Sequence, residues 1–144
     1  MKPGYAILLV CGWVSLAAPR SLAADLGDDT RALQGTWISE SFEAKGAQKN
    51  SRSVTLTFEG ERLLMKIDGN SFDLGYELDV ESVPKRLDII NKRTRIDGSQ
   101  NLGIYKLDGD RLTICHGGSA RPDKFEIRTE EFSLDTLIVL KRKR

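Results

Sequence analysis

From Gly35 onward the chain alternates apolar and polar residues with a period of two. Val54, Leu56 and Phe58 fall on one face while Thr55, Thr57 and Glu59 fall on the other. That spacing predicts a strand with one buried side. Leu63, Met65 and Ile67 repeat it, followed by Phe72, Leu74, Tyr76 and Leu78, and then by Leu87 and Ile89. Further strands are expected over 102–107, 111–115, 125–127 and 134–140, which makes eight or nine with the one holding Trp37. Glu59-Gly60-Glu61, Asp68-Gly69-Asn70 and Asp108-Gly109-Asp110 put glycine where a reversing chain needs positive φ. Strands joined by such short turns are antiparallel neighbours.

A meander of this kind closes into a barrel or stacks as a sandwich, and its consecutive hairpins favour the barrel. The expected fold is therefore all-β, an eight-stranded antiparallel up-and-down barrel in a single domain over 34–144. Residues 25–33 form a lead-in that could be a short helix capped by Asp28 or Asp29. Three connectors are longer, over 43–53, 91–101 and 116–124, and each suits either a mobile link or a binding loop.

The start of the chain changes the picture. Lys2, the apolar run from Tyr5 to Ala18 and the small residues Ser21 to Ala24 have the layout of a secretory signal peptide over 1–24. The run is about 14 residues long, short of the roughly 20 that span a bilayer. Export to the periplasm or beyond is expected, with no stable membrane span after cleavage. The formal charge of +1 becomes about −1 once Lys2 and Arg20 leave, so the electrostatic footprint of a nucleic-acid binder is lacking. Cys11 leaves too, and Cys115 alone cannot form an internal disulfide. A monomer is expected.

Leu33-Gln34-Gly35-Thr36-Trp37 resembles the Gly-x-Trp signature that opens the first strand of lipocalins. In that superfamily a basic residue near the end of the last strand packs across the Trp, and Arg142 occupies the matching place after Leu137-Ile138-Val139-Leu140. More of the chain resembles a narrower group, the small lipocalin-like domain of planctomycete bacteria. The matching stretches are 33–37, 76–89, 102–115, Arg121-Pro122 with Phe125, and 139–142. The segment after Cys115 departs from that pattern, being only His116-Gly117-Gly118-Ser119-Ala120. The resemblance implies an exported barrel in which Gly35, Trp37 and Arg142 close one end. It implies no activity, and fold alone supplies none.

Candidate chemistry is sparse. Cys115 and His116 are adjacent, so on a strand they point to opposite faces and make a poor thiolate–imidazole pair. The simpler expectation is a Cys packed as a small hydrophobe and a surface His. One His and one mature Cys cannot build a zinc site, and Asp108-Gly109-Asp110 lacks the further carboxylates of a calcium loop. Neither catalysis nor a cofactor is expected. Binding remains, and two alternatives stay open. Leu56, Phe58, Met65, Leu74, Tyr76, Leu87, Ile89 and Tyr105 either line an apolar pocket for a small hydrophobic molecule, with the two tyrosines as its polar points, or fill the barrel as core. In the second case the exposed loops would serve a protein partner of the cell envelope, and an exposed apolar rim would mark that role.

Overall fold

Glycine turns the chain back at each hairpin the pattern predicts. In the computed structural model, which describes residues 22–91, 100–118 and 120–144, Gly60, Gly69 and Gly109 have φ of 61°, 87° and 58°. The export-signal reading falls mostly on residues outside that description. Helix α1 (Leu22–Leu33) leads into β1 (Gly35–Ala44), β2 (Val54–Glu59), β3 (Arg62–Ile67), β4 (Asn70–Asp79), β5 (Arg86–Ile90), the two-residue β6 (Gln100–Asn101), β7 (Gly103–Asp108), β8 (Arg111–His116) and β9 (Thr136–Arg142). The helix is longer than the lead-in expected over 25–33. Asp28 and Asp29 therefore lie inside it and do not cap it.

Each strand pairs with its neighbour, β4 pairs with β5, and β9 returns to pair with β1. All pairings are antiparallel. Eight strands thus close a barrel, with β6 as a short addition on β5. The one irregularity in the β1–β9 seam is at Glu40, where the register shifts between Ser39 and Ser41.

Register decides which side chains face inward, because directly paired residues share a face. Leu56 opposes Met65 and Trp37, Leu63 opposes Leu74, Tyr76 opposes Ile89, and Ile114 opposes both Tyr105 and Ile138. Trp37, Leu56, Leu63, Leu74, Ile89, Tyr105, Ile114 and Ile138 belong to one buried cluster, with Met65, Ile67, Tyr76, Leu78, Leu107 and Ala44 half-buried against it.

The expected strand over 125–127 does not form. Residues 117–118 and 120–135 run between β8 and β9 as an irregular strap. The reason is topological: β9 occupies both the β8 and the β1 edges, so neither of these neighbouring ladders is open to Phe125-Glu126-Ile127. The last strand starts at Thr136, two residues later than the expected 134. The polar connector before β2 is held in place, since Asn50, with φ of 58°, donates its backbone N–H to Phe42 O at 2.8 Å and accepts from Phe42 N at 3.0 Å.

Candidate functional site

The barrel has two unlike ends. At one, the helix end, α1 delivers the fully buried Leu33 into the core. A helix leaves its last carbonyls without partners, and here the barrel supplies them. Trp37 Nε1 donates to Leu33 O at 2.8 Å. Arg142 Nη1 donates to Gln34 O at 2.8 Å, and Nη2 donates to Ala32 O. The same guanidinium lies over the Trp37 ring, 4.2 Å from its centroid, and reaches Asp110 at 3.2 Å. A cation at a helix C-terminus also suits the helix dipole. Gly35, Trp37 and Arg142 therefore meet at this end of the barrel. Gly35 is required by its backbone, at φ +107°, rather than by crowding, since an added Cβ would meet Arg142 Nη1 at an ordinary 3.5 Å.

Both tyrosines expected as polar points of a pocket serve this end. Tyr76 donates to Gly60 O at 2.6 Å and accepts from Gln34 Nε2 at 3.2 Å. Its ring meets Phe58 edge-on, with centroids 5.0 Å apart. Tyr105 donates to Asp29 of α1, whose carboxylate also holds Lys85 at 2.9 Å. Burial, then the bond to Asp29, pushes the Tyr105 hydroxyl well above its usual range. Sequence reasoning missed Asp29 and Lys85, because nothing local says that a helix will lie across the barrel end.

The remaining pocket candidates are packed. Leu56 and Phe58 are 1% exposed, Leu87 0%, Ile89 2% and Tyr105 1%, so they touch neither bulk water nor an internal space wide enough for one. Leu74 is buried as well, while Met65 and Tyr76 are half-buried.

At the opposite, strap end, side chains hold the finish. Arg121 pairs with Asp88 of β5, Nη2 to Oδ2 at 2.8 Å, and donates to Gly103 O at 2.7 Å. Asp135 is buried, and it accepts from Arg128 Nη2 at 2.6 Å, Nε at 2.8 Å and the Arg128 backbone N–H at 2.8 Å. The Arg128 bond holds its carboxyl below the ordinary carboxylate range against a smaller opposing effect of burial. Lys45 binds the strap at Thr129 O, 3.2 Å away, and at Glu130 O. Between these pins the strap presents Phe132 at 90% exposure and Leu134 at 76%. Both border a cleft of about 270 Å³ with Gly117, Ala120 and Ser133. Phe72, expected to face inward, shares the register of Met65 but is 46% exposed and lines a separate groove with Leu64, Ser71 and Asn91.

Cys115 and His116 do occupy opposite faces; Cys115 packs as the small hydrophobe expected, while His116 departs from the surface position expected for it. Cys115 faces outward yet is fully buried, and its Sγ lies 3.7 Å from Glu126 O of the strap. Burial pushes the thiol up to about 11, away from nucleophilic use. His116 is buried rather than on the surface. It falls on the inward-facing set because it pairs with Gly103 and Thr136. Among the described residues no group of three or more His, Cys, Asp and Glu could hold a metal ion, and no helix is long and apolar enough to cross a membrane. No family model, no curated protein and no solved structure matches the chain.

Proposed function

We propose that this chain is an exported, lipocalin-like binding module of the cell envelope that docks a protein partner on its strap, the barrel itself being filled by its own side chains. The observation that carries the reading is the exposed pair Phe132 and Leu134 beside a cleft on a segment that two ion pairs already hold in shape. Apolar side chains presented on a pre-ordered segment cost little further entropy on binding. The packed interior around Leu56, Phe58, Leu87 and Ile89 supports the same choice, since it leaves a ligand no room there. The small-molecule reading keeps one foothold, the half-buried Met65 and Ile67 beside Phe72 at the strap end.

The test is crosslinking in intact envelopes followed by native mass spectrometry, with wild type beside a Phe132→Ser/Leu134→Ser variant. A protein adduct present with wild type and lost with the variant, at unchanged thermal unfolding, supports docking on the strap. An apolar molecule that co-purifies with both forms, with no protein adduct, overturns it in favour of the small ligand.

A further inference from the structure

The tip of the strap is a closed turn. Ser133 N–H donates to Glu130 O at 3.2 Å, and Ser133 Oγ donates to Glu130 O at 3.0 Å and to Arg128 O at 2.9 Å. Glu131 and Phe132 therefore take the two central positions of the turn. Leu134 follows and lies against Gly118, where an added Cβ would meet Leu134 Cβ at 3.5 Å. Glu130, Glu131, Phe132 and Leu134 are exposed, and all four line the cleft of about 270 Å³.

Size and charge select the occupant. Pockets that enclose a free ligand run from about 300 to 1,000 Å³, so a smaller cleft between exposed side chains fits a side chain delivered by a larger molecule. Its walls set apolar surface beside carboxylate. Arg128, the cation that lines it, is spent on Asp135 through two side-chain bonds. Lys45 is turned to the carbonyls of Thr129 and Glu130. Neither Glu130 nor Glu131 enters an ion pair among the described residues. Further along the strap the exposed acids Asp123 and Glu126 outnumber the exposed Lys124. Such a surface repels anionic lipid and attracts a cation. A side chain with an apolar stem and a charged head matches both walls. Arginine matches better than lysine, because its plane stacks on an aromatic ring and its fork meets a carboxylate through two bonds.

We propose that the strap cleft receives an arginine side chain from a basic segment of a protein partner, its stem along Phe132 and Leu134 and its guanidinium on Glu130 or Glu131. The proposal rests on the docking reading and supplies the partner's chemistry.

A titration of the full chain tests it. Backbone amide signals are followed by NMR on addition of a Leu-Arg-Leu-Arg peptide capped at both ends, and of its citrulline counterpart, which keeps the shape and loses the charge. The arginine peptide should move the signals of residues 128–134 to saturation. Citrulline, or the Glu130→Gln/Glu131→Gln variant, should weaken binding about tenfold, the equivalent of one hydrogen bond to a charged group. Equal binding of the two peptides, an affinity unchanged in the glutamine variant, or no shift at millimolar peptide would each overturn the proposal. Wild-type binding to phosphatidylglycerol vesicles, with no response to the arginine peptide, would overturn it in favour of a lipid surface. In the envelope crosslinking assay, an adduct kept by Glu130→Gln/Glu131→Gln but lost by Phe132→Ser/Leu134→Ser removes the arginine and leaves docking intact. No adduct with wild type removes both.

Discussion

The helix end and the strap end close the same barrel with different chemistry. At the helix end the finish is continuous with the fold. One indole and one guanidinium supply partners to Ala32, Leu33 and Gln34 while stacking on each other, so the helix cannot leave without orphaning carbonyls and uncovering the core. At the strap end an irregular segment lies across the outside of the sheet, fixed at Asp88 and Asp135 by arginines that water can also reach. The first arrangement is coupled to global unfolding. The second rests on surface ion pairs apart from the barrel ladder, and segments held that way are where the local opening that binding and regulation draw on is expected.

The contrast can be broken first at Trp37. Trp37→Ala should cost about 3–5 kcal/mol as a truncated buried aromatic, read by chemical denaturation, and should loosen strap and barrel together. Acid tests the other end. His116 has a folded value lowered to about 4, so its contribution is complete above the unfolded value of 6.5 and is lost as pH falls from there through 4. That loss is roughly 3 kcal/mol, and denaturation curves of wild type and His116→Gln should diverge across that window and nowhere else. Arg142→Ala should cost about 2 kcal/mol, from unpartnered helix carbonyls and a lost cation–π contact. Its loss should not add to that of Trp37→Ala, with a coupling of at least about 0.5 kcal/mol in a double-mutant cycle; strict additivity would mean that the two act separately. Phe132→Ser should change stability by less than about 0.5 kcal/mol, because the side chain gives the fold nothing.

How far the sequence could be read follows the same division. The barrel was legible because Val54-x-Leu56-x-Phe58 and its successors alternate cleanly and glycine marks the turns. The Trp37–Arg142 contact was legible because closing a meander brings its first and last strands together. The strap was not. Phe125-Glu126-Ile127 carries the same alternation as a strand, and only the complete topology reveals that β9 has taken the adjoining edges of β8 and β1. Cys115 packs as the small hydrophobe expected, but what covers it escaped, since an outward-facing position is covered by a segment distant in the ladder. His116 escaped although period two from Leu112 and Ile114 turns it inward, because a lone polar residue before two glycines reads as the exposed end of a strand. Tyr76 and Tyr105 were rightly placed inside, but their hydroxyls answer to Gln34 and Asp29, which local pattern cannot connect to them.

The β1–β9 seam also orders events in time. β1 finds β2 within a hairpin's reach, but its other edge is met only by Thr136–Arg142. Until those residues have been synthesised, one side of the first strand carries unpaired amides and carbonyls and offers a template to any neighbouring chain. The pairing of Trp37 with Arg142 is among the most distant in the chain, and contacts of such separation slow folding. A growing or truncated chain lacking β9 should therefore be sticky rather than merely weak. Arg142 acts as a mark of completion, covering the indole and finishing the helix only once the last strand has docked.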